Sequence, residues 1–345
     1  MQELESLSQL DKEEAILHLC LSKKDLGKTS RGDPFLTLEL SDLTGSLGAK
    51  IWHDFPGFDQ LVDLPIGSAV KVQGHKGDYR GTPQLEIRKI RPLGPSDEGR
   101  WDPDHVFGAG FANISDLLCK VLVMDIETAP LTDVRGLPKT LVQAVTRVAT
   151  DRDWDIDKVL GLNPLFSRVV SIAVGSEVGD ADSVLVAPPN DEISGVASKA
   201  PAWMRVMSEA DMLAAFWTLS RHAEIVVTYN GRNFDLPFLR TRSAILGVPV
   251  LSDLVSQPPY RHRPHLDLYQ ILIGSGRGAA PMNLDAACFA FGIESPKDAM
   301  DGSMVGQAFR ERRYEEIARY NLSDIVATRE LYRRLAETVL PFLDN

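Results

Sequence analysis

The sequence predicts a two-part chain: a small all-β barrel of five strands, then a larger mixed α/β domain. Three observations carry this. Short β-rich runs separated by turn clusters fill the N-terminal part, a stretch rich in Pro, Gly and acids follows, and beyond it apolar strand-like runs alternate with amphipathic helical stretches. A chain of 345 residues is long enough for two separately cored domains.

In the N-terminal part, 1–93, the runs 15–21, 35–40, 48–52, 69–74 and 84–90 are β-rich, and the clusters 27–33, 41–45 and 77–82 supply turns. A helix is expected over 58–62, between the third and fourth strands. Five strands with one helix so placed is the pattern of a small Greek-key barrel. The segment 94–118 reads as a linker, its first half dense in Pro, Gly and acids. In 119–345, strands are expected at 121–124, 169–174, 183–186 and 225–228, and helices at 208–222, 236–246, 283–291 and 314–338.

At 44% hydrophobic and 25% charged residues, the composition is that of a folded globular protein. No apolar run approaches bilayer length and the N-terminus lacks a basic flank with an apolar stretch, so a cytoplasmic location is expected, with no membrane partner. Cys20, Cys119 and Cys288 are odd in number, far apart and free of CxxC spacing, which argues against a disulfide framework and a zinc knuckle. The net charge of -11 disfavours a polyanionic ligand unless basic residues cluster or cations bind. Gly27-Lys28-Thr29 resembles the end of a phosphate-binding loop, but position 22, where that pattern needs its first glycine, is Ser22. Gly274-Ser-Gly-Arg277-Gly lacks the strand-to-helix setting of a dinucleotide fingerprint and reads as a flexible loop, with Arg277 a candidate phosphate contact.

The acids are more informative. Val121-Leu-Val-Met-Asp125-Ile-Glu127-Thr128 reads as a buried strand ending in two carboxylates at i and i+2. Alternation puts both on one face, where like charges are costly unless a cation bridges them. A bland alternative is a strand end fraying into a polar turn. Asp235 follows another strand, in Asn230-Gly-Arg-Asn-Phe234-Asp235, and taken alone is a helix N-cap before Pro237. In the last helix Ile317, Tyr320, Asp324, Ala327, Leu331 and Leu335 form one stripe that Asp324 interrupts. A carboxylate there is paired, hydrogen-bonded or metal-bound if the stripe is buried, and solvated if it lies at an edge.

In this order the motifs Asp125-Ile-Glu127-Thr128, Asn230 through Phe234-Asp235, and Tyr320-Asn-Leu-Ser-Asp324 resemble the DEDD superfamily of 3′→5′ exonucleases, in its tyrosine variant. Over roughly 121–332 the chain is similar to predicted exonucleases akin to the proofreading domain of B-family DNA polymerases. Asn163-Pro-Leu-Phe-Ser-Arg-Val, His265-Leu-Asp267-Leu, Met282-Asn-Leu-Asp and Asp301-Gly-Ser-Met-Val add to the likeness. The resemblance implies a ribonuclease-H-like α/β exonuclease domain and two divalent cations, Mg²⁺ or Mn²⁺. Asp125 would bridge both, Glu127 and Asp324 would complete one, and Asp235 would help hold the other. It also implies that Tyr320 orients the attacking water and that Thr128, Asn230 and Phe234 meet the substrate. Asp267 either joins this site or caps a helix.

The N-terminal strands resemble OB-fold barrels, notably through 32–45 and 49–52, which implies single-strand binding by stacking and a basic groove. Trp52, Tyr79, Lys76 and Arg80 are candidate contacts, with Phe35, Phe55 and Lys24 among further possibilities and some of the aromatics needed for the core. The expected substrate is single-stranded DNA. The alternatives are an exoribonuclease and a non-catalytic single-strand-binding or adaptor protein.

Overall fold

The computed structural model describes residues 2–258, 261–273, 283–295 and 300–342. Backbone packing divides the chain into two compact units, Met1–Asn113 and Ile114–Asn345.

The first unit is built on β1 (Gln2–Glu3), β2 (Ala15–Lys28), β3 (Pro34–Asp42), β4 (Gly45–Trp52), α1 (Phe58–Asp63), β5 (Ala69–Tyr79), β6 (Thr82–Pro92) and α2 (Pro103–Phe107). Strands β2, β3, β4, β6 and β5 pair in that order, and β5 returns to β2, closing a five-stranded barrel; β1 adds to β2 outside the ring. The join between β4 and β6 is a single parallel pairing, Gly48 with Gln84. Alternating residues fill the interior: Leu17, Leu19 and Leu21 from β2, Leu36, Leu38 and Leu40 from β3, Val70 and Val72 from β5. This closed barrel, with its helix between the third and fourth ring strands, is the expected OB-fold.

Segment 94–113, within the stretch that reads as a linker, is folded onto the barrel. Arg91 grips Asp97 with two 2.7 Å hydrogen bonds. Val106 and Phe107 of α2 are buried with Cys20, and Phe107 stacks on Phe111 at 4.0 Å between ring centroids.

The second unit comprises β7 (Val121–Pro130), α3 (Lys139–Arg152), α4 (Ile156–Gly161), β8 (Ser167–Ser176), β9 (Ser183–Val186), α5 (Ile193–Ala197), β10 (Met204–Val206), α6 (Glu209–His222), β11 (Ile225–Thr228), α7 (Asp235–Leu246), β12 (His265–Asp267), α8 (Leu268–Ile273), α9 (Leu284–Phe291), α10 (Val305–Arg310) and α11 (Tyr314–Thr338). Its sheet runs β10-β9-β8-β7-β11-β12, with β8 antiparallel to both neighbours and β7, β11 and β12 mutually parallel. Helices α6 and α7 cover one face, packing on Leu122, Met124 and Ile126. Helix α11 covers the other, where Val123 meets Ala318 and Ile325 in a common core. A sheet in this order, covered on both faces, is the ribonuclease-H-like domain. No helix among the described residues is long and apolar enough to cross a membrane.

Strand β7 corrects the expectation that the two acids end a strand. It runs on to Pro130, because β8 pairs with it throughout, opposing Asp125 with Ala173 and Glu127 with Ser171, and a bulge follows Glu127. On its other side β11 pairs only as far as Val123. Beyond Val123 one edge of β7 is therefore open, and a cleft lies there.

The packing of α2 predicts that Phe107→Ala destabilises the first unit by about 3 kcal/mol, the scale for emptying a buried aromatic site. Urea unfolding followed by tryptophan fluorescence, with Trp101 beside the ring, measures this; a change under 0.5 kcal/mol would mean the segment is a passive tether.

Candidate active site

Alternation along β7 decides which residues face which helices. Even positions 122, 124 and 126 enter the α6/α7 core, so Asp125 and Glu127 face the side of α11. From α11 the buried stripe of Ile317, Asp324, Ala327, Leu331 and Leu335 meets that side. Carboxylate oxygens of Asp125, Glu127 and Asp324 come within 4.8 Å of one another. Asp235, at the start of α7, completes the group: its Oδ1 accepts the N–H of Ile126 at 3.2 Å, an amide beyond the reach of β11.

These four acids line one cleft of about 1350 Å³, together with Tyr320, Thr128, Asn230 and Phe234. Glu127, Asp235 and Asp324 are each under 10% exposed. Among the described residues no Lys or Arg pairs with Asp125, Glu127 or Asp235, and their protonation shows the consequence. Burial, then the charges of Asp235, Asp324 and Glu127, raises the Asp125 carboxyl well above its ordinary range. Burial and the same neighbourhood raise Glu127. Asp235 is pushed up to about 7, chiefly by burial, against the opposing pull of backbone hydrogen bonds. The Tyr320 hydroxyl, hydrogen-bonded with Asp324, is raised by burial and by the three carboxylates around it.

Asn321 is part of this arrangement and sequence reasoning passed over it. Fully buried, it donates from Nδ2 to Asp125 Oδ2 at 2.7 Å, while its Oδ1 accepts the Ser171 hydroxyl at 3.1 Å. The accepting carboxylate oxygen of Asp125 selects the NH2 end of the amide, and the Ser171 hydroxyl donates to the other end. The signal was available: Asn321 lies three residues before Asp324 on a helix whose inward positions are otherwise mostly apolar.

The remaining candidates divide. Asn230 adopts a left-handed conformation, φ 66°, in the turn after β11. Asp267 is buried beneath that turn and accepts the N–H groups of Asn230, Arg232 and Tyr269 at 2.7, 3.1 and 3.1 Å. It does not line the cleft; its contacts are to the turn and the start of α8. Thr128 donates its hydroxyl to the Gly161 carbonyl at 2.8 Å, tying β7 to α4. Arg277 lies outside the described residues. In the first unit Trp52 is 47% exposed, 5.5 Å from the Phe35 ring, with Lys50 Nζ 5.3 Å from its own ring. Tyr79 and Arg80 pair at the β5–β6 turn, 5.3 Å from guanidinium to ring, and Lys76 is exposed on β5. Phe55 packs against the barrel core, and Lys24 spends its ammonium on the carbonyls of Leu61, Val62 and Leu64 at the end of α1.

A ribonuclease-H-like sheet with a cluster of buried acids in the cleft beside its central strand offers a set of oxygen donors that could hold a metal ion. Residues 163–339, just over half of the chain, match the family described as "Predicted 3'-5' exonuclease related to the exonuclease domain of PolB". The chain belongs to this family. Asp125 and Glu127 precede the matched span, and the geometry joins them to it. Among curated proteins the chain is similar to the 3'-5' exoribonuclease YhaM of Bacillus pumilus, 38% identical over 90 residues, 26% of this chain and 28% of that protein. The Bacillus subtilis protein of the same name is 41% identical over 76 residues, 22% of this chain and 24% of that one. The matched stretches thus span about a quarter of those relatives. A solved structure, the family B DNA polymerase of Pyrobaculum calidifontis, is similar at 17% identity and a TM-score of 0.42, covering 92% of this chain and 46% of that one.

Raised carboxyls set the sign of a pH effect. A folded state that holds protons on Asp235 up to about 7, against 3.8 for the ordinary group, binds more protons than the unfolded chain. Its contribution is fully present below the unfolded value and is lost as pH rises through 7. Asp235→Asn keeps an oxygen for the Ile126 amide but cannot ionise. In EDTA its stability relative to wild type is expected to grow by about 1–3 kcal/mol between pH 5 and 8, read by urea unfolding; a pH-independent difference would contradict the burial of an ionising carboxyl.

Proposed function

We propose that this chain is a metal-dependent 3′→5′ exonuclease that removes nucleotides from the 3′ end of single-stranded nucleic acid by hydrolysis of the phosphodiester. The observation that carries the reading is the convergence of Asp125, Glu127, Asp235 and Asp324, from three distant segments, on one cleft with no basic partner for the first three among the described residues. The donor set fits Mg²⁺ or Mn²⁺: all hard oxygens, with protons raised onto carboxylates that repel one another. Asp125, Glu127 and Asp324 would hold one ion, and Asp235 with Asp125 a second. Two such cations activate water and neutralise charge on the attacking and leaving oxygens.

The chain's own residues do the rest. Asn321 holds one oxygen of Asp125 and leaves the other free to point into the cleft. Tyr320, its proton retained by the surrounding carboxylates, donates one hydrogen bond to Asp324 and offers its oxygen lone pairs to orient the attacking water. Phe234 and Asn230 lie on the cleft wall where a terminal base and sugar would rest, and Asp267 keeps their turn in place. On the barrel, Trp52, backed by the half-buried Phe35, and Tyr79 beside Arg80 present exposed rings for stacking of unpaired bases, Lys76 adding charge.

DNA is the substrate the sequence reading favours. A second reading, RNA, has its own support in relatives that carry the name exoribonuclease. The two are separated by 5′-labelled DNA and RNA oligonucleotides incubated with Mg²⁺, Mn²⁺ or EDTA. Stepwise shortening from the 3′ end with metal and none with EDTA is expected; tight binding without shortening of either polymer would favour an adaptor.

Asp125→Ala and Asp324→Ala are each expected to lower kcat by at least about 10³-fold with the fold retained by circular dichroism. Tyr320→Phe should lower kcat about 10- to 100-fold. Full activity in either alanine variant would end the assignment.

A further inference from the structure

The outer wall of the cleft is made by two short helices, α4 and α10, both seated on Pro130. A Cβ on Gly306 would lie 3.3 Å from the Pro130 ring, and one on Gly161 would lie 4.0 Å from it. The glycine at 306 lets α10 close on the end of β7, whereas a side chain at 161 would make only ordinary contact there. Their polar side chains then line the cleft: Asp155, Asp157 and Lys158 from the α4 segment, Gln307 and Arg310 from α10.

Across this wall Arg310 Nη2 donates to Asp157 Oδ2 at 3.1 Å. The side chains are 57% and 62% exposed, so solvent screens the pair and it contributes little as a clasp. It is nonetheless placed where charge is scarce. Among the described lining residues seven are acids, Asp125, Glu127, Asp155, Asp157, Asp235, Asp301 and Asp324, and two are bases, Lys158 and Arg310. The Lys158 ammonium already sits over the Trp154 ring, 4.7 Å from its centroid. A polyanionic strand entering an acidic cleft needs a cationic partner on the wall. A guanidinium offers paired donors that match the oxygens of a phosphodiester better than one carboxylate oxygen at 3.1 Å uses them.

We propose that Arg310 binds a backbone phosphate of the substrate strand, and that Asp157 holds its side chain in the empty cleft and is displaced by that phosphate. The identity of the ligand rests on the exonuclease reading; the competition between carboxylate and phosphate does not.

The two residues then have opposite effects, which a structural clasp would not give. Binding of a five-nucleotide, 5′-fluorescein-labelled oligonucleotide is read by anisotropy in EDTA across a salt series, and KM and kcat are read in parallel with Mg²⁺ or Mn²⁺. Arg310→Ala should weaken binding about tenfold and reduce the slope of log Kd against log salt by about 0.7, the share of one single-strand phosphate. Asp157→Asn should tighten binding about threefold. In oligonucleotides carrying one neutral methylphosphonate linkage, a single position should penalise wild type and leave Arg310→Ala unaffected. Shifts of both variants in the same direction, or an unchanged salt slope in Arg310→Ala, would overturn the proposal. Failure of the wild type to shorten any oligonucleotide would defeat the nuclease reading alone, since the anisotropy comparison still decides the role of Arg310.

Discussion

Mutual repulsion among buried carboxylates is the constraint on which the second unit turns. Bringing Asp125, Glu127 and Asp324 within 4.8 Å of one another, with Asp235 alongside, costs free energy in any protonation state without cations: the groups repel when ionised and keep protons well above their ordinary range when not. The surrounding structure has to impose this arrangement, and it does so with rigid elements. β7 is held along its whole length by β8. α11 runs from Tyr314 to Thr338 with an almost continuous buried face. Asp235 is tied to the backbone of β7 itself.

The topology supplies the opening. Because β11 stops pairing with β7 at Val227 while β7 continues to Pro130, the sheet has a step in its middle, and a step in a sheet exposes backbone donors. One of those donors, the Ile126 amide, goes to Asp235, so the cost of leaving a strand edge unpaired is offset by fixing an acid of the site. The turn that leaves β11 is similarly held. Asp267 collects its amides from below, which frees Asn230 and Phe234 to face the cleft.

Much of this was legible in the sequence because it is periodic. The two-residue alternation in β7 separates apolar residues 122, 124 and 126 from acids 125 and 127, and the helical stripe of α11 places Tyr320 and Asp324 on one face. Strand 225–228 and helix 314–338 could be read to the residue for the same reason. What escaped depends on contacts between distant residues. The continuation of β7 past the acids is set by β8, which no local signal reveals. Asn321 looks like any polar helix residue until Ser171 and Asp125 stand on either side of it. The Pro- and Gly-rich composition of 94–105 signals turns correctly, yet whether turns hang free or lie on a core is decided by Phe107 and its stacking partners. Lys24 looked like a groove cation, and the end of α1 claims it.

The net charge of -11 is the feature hardest to reconcile with a nucleic-acid ligand, and the two units suggest different resolutions. In the barrel, attraction need not be long-ranged: Trp52, Phe35 and Tyr79 offer ring faces, and stacking depends on contact rather than field. In the cleft of the proposed nuclease the surplus of acids would itself be the means of attraction: it would gather cations, and each cation bound would offset local negative charge where a phosphate comes to rest. Metal and strand would then be linked ligands, each strengthening the other's binding by the same factor. In the proposed nuclease such a cleft would hold its strand more weakly until the metal is in place, which would couple strand binding to readiness for hydrolysis without any moving part.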